Sequence, residues 1–215
     1  MADDYLTRGL WICVDGVEGV GKSTVARALA SGSAAHLATE FSSAPFGRAL
    51  EGAVRTAPHF IASSEVGQSL VFLGDFYEVY ASEVAPLLAG GTTVISDRGY
   101  LSKYAYQEVV LTGALGDTAA RGLLDAIFGH LPTPDLTLHL VASRNVLRER
   151  LVARDGECDD ARLAFMAQAH RAALRRLVRA PDLRVTTIDA DRSLDVVTAE
   201  AVHATTGLDR STRRS

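Results

Sequence analysis

The sequence predicts an α/β fold, a three-layer sandwich in which a five-stranded parallel sheet carries helices on both faces. Two observations predict it. Short apolar runs alternate with longer segments of helical spacing along the chain, the order of repeated strand–helix units. At the first strand–helix junction lies Gly16-Val17-Glu18-Gly19-Val20-Gly21-Lys22-Ser23, which fits the phosphate-loop pattern G-x-x-x-x-G-K-[ST]. A chain of 215 residues, 47% apolar and 22% charged, suits one such domain over residues 1–208, without linker or repeat.

The elements follow in order. Leu10-Trp11-Ile12-Cys13-Val14 is a short apolar run and reads as a buried strand, and Thr24 to Ala30 has helix-forming composition. Further strands are expected at 36–39, 92–96, 136–141 and 184–188. Ser63 or Ser64 can cap a long helix through Leu70, Val71, Tyr77, Val84 and Leu88, with Gly90-Gly91 as its stop. Ser143 is placed to cap a helix from Asn145 that carries Arg148, Arg150 and Arg154. A polar loop, Asp155 to Asp160, breaks that pattern before a helix over 162–179. A last helix begins after Ser193, and the tail 209–215 has no apolar residue and is expected to be disordered.

Strand, glycine loop and helix in this order make an anion cradle. Loop N–H groups converge on phosphate oxygens, and the helix N-terminus adds its positive dipole end. A nucleoside triphosphate is therefore expected against Gly16 through Thr24. Lys22 would reach the outer phosphates and the Ser23 hydroxyl would complete a Mg²⁺ shell.

Val94-Ile95-Ser96-Asp97-Arg98 is the second feature. An acid at the carboxyl end of a parallel strand sits in the ligand crevice of such a sheet. There Asp97 can hold Mg²⁺, and Arg98 can neutralise charge on a moving phosphoryl group. The third feature is the arginine set. Arg150 and Arg154 are four apart, share a helix face with Arg148 nearby, and lead into a polar loop. Beside a phosphate loop, that combination reads as a short lid near 148–160 that excludes water. The bland alternative is a solvated face paired with Glu149 and Glu157.

Composition restricts the partners. A net charge of −4 gives no general reason for binding nucleic acid or membranes. Cys13 and Cys158 read as reduced thiols, and the six histidines show no ligand spacing. No basic-then-apolar leader precedes Leu10 and no apolar run is long enough to span a membrane, so a cytoplasmic chain is expected.

In its motifs the chain resembles the thymidylate kinase family of P-loop nucleoside monophosphate kinases. The resemblance rests on Val14-Asp15-Gly16 through Thr24, then Ser96-Asp97-Arg98 followed at family spacing by Ala105-Tyr106-Gln107. It continues through Pro134-Asp135-Leu136-Thr137-Leu138, Arg154 to Asp159, and Ile188-Asp189-Ala190 with Arg192-Ser193. A loop with Glu18-Gly19 and no arginine resembles the subgroup whose catalytic arginines come from the lid. The resemblance implies Mg²⁺-dependent transfer of the ATP γ-phosphoryl group to a nucleoside monophosphate, with Lys22, Arg98, Arg148, Arg150 and Arg154 as catalytic groups. It also implies Arg192 on the ATP side, Glu18 and Gln107 near the acceptor, and a homodimer paired through the long helices.

Departures from the family concentrate on the acceptor side. Where members carry Arg-Glu-Pro-Gly-Gly, this chain has the stretch Thr39-Glu40-Phe41-Ser42-Ser43-Ala44-Pro45-Phe46-Gly47-Arg48 with no arginine at the matching place, leaving Phe41 or Phe46 to pack on a base and Arg48 to substitute for the charge. The long helix keeps Phe72 and Asp75 but has Phe76 in place of an arginine. Gly99 replaces an aromatic residue, and Lys103 replaces a small polar residue that faces thymine. A lysine against thymine N3–H sets donor against donor, so Lys103 is expected to meet a carboxylate, a carbonyl or a phosphate on a different substrate, the alternative being that it points to solvent. Besides dTMP, the acceptor readings left open are a modified nucleotide, a nucleoside or a specialised metabolite. A GTPase is disfavoured because no Asn-Lys-x-Asp run occurs, and a degraded paralogue is disfavoured by the retention of Lys22, Ser23, Asp97 and Arg98.

Overall fold

A computed structural model describes residues 8–56, 64–206 and 208. The alternative cap Ser63 and the tail 209–215 lie outside the described residues. All five expected strands form: β1 (Trp11–Gly16), β2 (His36–Ala38), β3 (Val94–Asp97), β4 (Leu136–Val141) and β5 (Val185–Asp189). They pair in parallel in the order β2-β3-β1-β4-β5. Central β1 is buried along its whole length, as a strand covered on both faces must be.

Alternation along β1 sorts the two layers. Ile12 and Val14, with Leu136, Leu138 and Leu140 of β4, pack on Val25, Ala26 and Leu29 of α1 (Lys22–Ser31) and on Val197 and Ala201 of α9 (Leu194–Thr206). Trp11 and Cys13 face the other way, into a cluster with Leu73, Phe76, Tyr100, Tyr104, Leu124 and Phe128. Those residues come from α3 (Glu65–Val79), α5 (Tyr100–Leu115) and α6 (Asp117–Phe128). Between β2 and α3 lies α2 (Pro45–Thr56). After β4 come α7 (Arg144–Asp155) and α8 (Asp160–Arg179).

The helix expected to run unbroken from residue 64 to 89 is interrupted. Ser64 caps it, its Oγ accepting from Gly67 N at 3.0 Å. After α3 there is a π-helical turn at Tyr80–Val84 and a short α4 (Ala85–Ala89). Pro86 has no N–H to return to the preceding turn, and the wider turn falls just ahead of it. Ser143 caps α7 and Asp159 caps α8, each accepting from the N–H three residues on.

One buried group ties the core to pH. His139 of β4 lies beside Asp15 in register and 5.5 Å from the His170 ring, and is 1% exposed. Burial pulls its pKa down to about 4, with Asp15 opposing. A folded pKa below the unfolded value means that the unfolded chain binds the extra proton. Stability is then complete above pH 6.5 and falls as pH drops toward 4. Between pH 7.5 and 4.5 this one group is expected to remove about 2 kcal/mol. Urea unfolding of wild type and His139→Gln at the two pH values checks it: the glutamine variant should lose less stability over the interval by about that amount.

Candidate active site

Every strand of a parallel sheet delivers its carboxyl end to one edge, and here those ends carry the polar residues: Asp15, Glu40 just beyond β2, Asp97 and Asp189. The glycine loop fills the centre. Gly16 takes φ 144°, and a Cβ there would lie 2.4 Å from the Leu140 carbonyl oxygen. Gly21, at φ 103°, is the N-cap of α1. Both positions need glycine.

The hydrogen bonding of the loop is selective. Glu18 N donates to the Tyr106 hydroxyl at 2.8 Å, Val20 N to Val17 O, and Thr24 N and Val25 N to Gly21 O. Among the described residues no acceptor takes the N–H groups of Gly19, Gly21, Lys22 or Ser23. Four unbonded donors at the start of a helix are what a phosphate requires. Lys22 is 6% exposed, and its ammonium rests on the Val17 carbonyl oxygen at 2.8 Å. Burial lowers its pKa to about 7, with Arg98 adding to the shift while Glu40, Asp97 and Asp15 oppose it. An incoming polyphosphate restores the charge. The Ser23 hydroxyl and the Asp97 carboxylate form no hydrogen bond or ion pair among the described residues, which leaves two hard oxygen donors of the kind Mg²⁺ takes together with phosphate oxygens.

Arg98 follows β3 with φ 71°, the one positive φ at a non-glycine residue among those described. Such strain is held by its surroundings and clusters at functional sites. The guanidinium lies 5.0 Å from the Tyr106 ring centroid and 3.0 Å, through Nε, from Glu40 Oε1. Lys103 of α5 reaches the same oxygen at 3.2 Å and is 3% exposed. Lys103 is therefore turned inward, and the carboxylate it meets is the protein's own Glu40. Its Nζ lies 5.3 Å from the Phe41 ring and 5.6 Å from the Phe72 ring, and the two rings are 6.4 Å apart. Burial alone would raise the Glu40 pKa, but Arg98, Lys103 and Lys22 together bring it down to about 2.

The family model described as thymidylate kinase matches residues 14–201, from the end of β1 into α9. The chain belongs to the thymidylate kinase family. A thymidylate kinase of Halorhodospira halophila is 37% identical over 206 residues, covering 92% of this chain and 93% of that protein. In fold the chain is similar to a thymidylate kinase of Candida albicans (TM-score 0.70, 20% identity, 92% and 91% of the two chains). It is likewise similar to one from Ehrlichia chaffeensis (TM-score 0.69, 18% identity, 92% and 99%).

Set on this thymidylate kinase framework, the candidate residues divide. Lys22, Arg98, Lys103, Phe41 and Phe72 gather at the strand ends, with Gln107 buried one turn beyond Lys103. Glu18 joins them to the α7–α8 corner. Its carboxylate accepts from Arg154 at 2.5 Å and from Arg162 at 2.6 and 3.0 Å, and Asp155 pairs with both arginines. Burial would raise the Glu18 pKa, yet Arg162 and Arg154 hold it below the usual carboxylate range. Arg162 was not among the candidate arginines because it stands beyond the polar loop, in the first turn of the next helix, α8. The signal was its place just past the polar loop, mirroring Arg154 before it.

Other candidates stand elsewhere. Arg150 donates to the carbonyl oxygens of Val20 and Ala190 at 3.3 and 2.8 Å, tying the loop to the end of β5. Arg148 pairs with Asp160, as Arg144 does, and Arg192 pairs with Glu200. Arg48 and Phe46 are exposed on α2. Phe76 lies in the core, 5.9 Å from Phe128. Gly99 also has its reason: a Cβ there would lie 2.3 Å from Cys13 Sγ.

Proposed function

We propose that this chain transfers the γ-phosphoryl group of ATP to the phosphate of a nucleoside monophosphate, with dTMP the first candidate. The observation that carries the reading is the row of four unbonded loop N–H donors beside Lys22, in a chain of this family. Ser23 and Asp97 are the residues that would hold Mg²⁺, which supplies charge neutralisation on the triphosphate when bound. Lys22 and the loop amides orient the donor, and Arg98 takes up charge on the moving group. Residues 148–160 form the lid within a single domain. Arg154, joined by Arg162, is its phosphate-facing group, and Glu18 stands in for the anion at rest. Arg150 keeps the loop in place. A cytoplasmic homodimer pairing along the long helix is part of the same reading, supported by Leu70, which is 48% exposed on α3. Among the described residues no helix is long and apolar enough to cross a membrane.

A second reading has a specific observation behind it. The withdrawal of Phe76 into the core takes away the group expected at the acceptor wall of the long helix, which favours a monophosphate other than dTMP. ATP-to-ADP turnover with Mg²⁺, over dTMP, dUMP, the other nucleoside monophosphates, free nucleosides and a blank, tests both. Turnover on a monophosphate, lost by at least about 10²-fold in Lys22→Ala, is the expected result. Turnover on nucleosides alone would overturn the reading.

A further inference from the structure

Glu40 is an acid in a pocket that must receive an anion. Alone it would repel an incoming phosphate. Its Oε1, however, is shared by Arg98 Nε at 3.0 Å and Lys103 Nζ at 3.2 Å, so the cluster keeps one net positive charge. The three groups come from three elements: the end of β2, the turn after β3, and α5. Arg98 Nε, although 3.0 Å from Glu40 Oε1, is buried and makes no hydrogen bond in the ion pair, so donor capacity of the guanidinium remains for a phosphate. Glu40 also fixes Lys103. Beyond Glu40 the ammonium has the Phe41 and Phe72 faces, 5.3 and 5.6 Å away, and the field of buried Asp75, whose carboxylate is itself taken up by Ser42.

We propose that Glu40 is a positioning residue for phosphoryl transfer, holding Arg98 and Lys103 as a two-cation receptor for the phosphate monoester of the acceptor. The inference rests on the reading of the chain as a nucleoside monophosphate kinase. Lys103 supplies the charge that an acceptor-side arginine would otherwise bring, and it binds the ground-state phosphate. Arg98 follows the charge as the phosphoryl group moves. Glu40 therefore acts on both binding and rate, whereas Lys103 acts on binding.

Steady-state kinetics on the best monophosphate acceptor test this. Glu40→Gln keeps the shape and removes the charge. It is expected to raise the acceptor KM about 10-fold and lower kcat about 10-fold, with the KM for ATP within about 2-fold. Lys103→Met is expected to raise the acceptor KM about 10-fold with kcat within about 3-fold. The double variant should raise KM no further than the worse single variant, because both changes dismantle one receptor. A lower acceptor KM in Glu40→Gln would show an obstructing acid and overturn the inference. So would kinetics unchanged within about 2-fold. Should Glu40→Gln fail to fold, Lys103→Met decides alone: a rise confined to the acceptor KM supports the receptor, and no rise refutes it. Wild type silent on every monophosphate would sink the functional reading and the inference together, an outcome distinct from an active wild type with indifferent variants.

Discussion

Arg98→Ala is expected to lower kcat by about 10³-fold while the protein stays folded and still binds ATP. In phosphoryl transfer the protein contributes position and charge, so a single guanidinium at the reacting group carries much of the rate. The argument for Arg98 is its geometry. It follows Asp97, whose carboxylate forms no hydrogen bond or ion pair among the described residues, and its backbone is held at φ 71° where a non-glycine residue costs about 1–3 kcal/mol. Glu40, Tyr106 and the Arg98 N–H bond to Val14 O at 3.1 Å keep it there. Arg98→Lys should fail nearly as badly, because an ammonium is a point charge on a different stem and does not reproduce the planar fork of donors that a guanidinium presents to a phosphate. Arg98→Gly separates strain from function. Glycine accepts this backbone, so the glycine variant should be about 1 kcal/mol more stable than the alanine variant, with both inactive. Denaturant unfolding and single-turnover rates on the three variants provide the check. An active glycine variant, with kcat within about 10-fold of wild type, would remove Arg98 from the chemistry.

Much of the architecture was legible because parallel strands buried on both faces leave apolar runs that need no periodicity to be seen. The central strands β1, β3 and β4 were found this way, the partly buried edge strands β2 and β5 from the alternation of strand and helix, and the caps Ser64 and Ser143 from side-chain chemistry. Helix α5 was not found, although it carries Lys103 and Gln107. It is buried on most sides, with Tyr100, Ser102, Lys103, Tyr104, Gln107 and Glu108 all inside, so no apolar stripe marks it. The loop was legible at single-residue level because its pattern is local. The acceptor wall was not, because its contacts are far apart in sequence. Glu40 meets Arg98 and Lys103 only after β2, β3 and α5 assemble, and no local pattern in the sequence marks that meeting. Arg148, Arg150 and Arg154 share one helix yet take different partners: Asp160, two backbone carbonyls and Glu18. Helical spacing places residues on a face and does not say which acceptor each reaches.

Asp15→Ala is expected to be the most destabilising change of one polar residue at this end of the sheet. Asp15 is fully buried, and its carboxylate caps α5 from the neighbouring strand. Oδ1 accepts from Gly99 N at 2.8 Å and Ser102 N at 3.1 Å, and Oδ2 from Leu101 N at 3.1 Å. These are the free N–H groups at a helix start, where a negative charge also meets the positive dipole end. Ser102 extends the link, its Oγ accepting from Gly16 N at 3.0 Å and donating to Gly16 O at 3.2 Å. One acid thus fastens the helix that carries Lys103 to the first residue of the phosphate loop. Removing it leaves three buried donors without an acceptor, a loss of about 3–5 kcal/mol. For a chain of this size that corresponds to a Tm lower by about 10 °C. Asp15→Asn keeps one acceptor oxygen but turns an NH₂ toward the remaining N–H groups, so it should lose roughly half as much. Thermal unfolding gives the magnitude, and amide exchange gives the place. Protection should fall first at Gly99, Leu101 and Ser102, ahead of β1 and β4. A Tm within about 2 °C of wild type, or exchange that rises evenly across the sheet, would mean that α5 is held by its apolar contacts and not by this carboxylate.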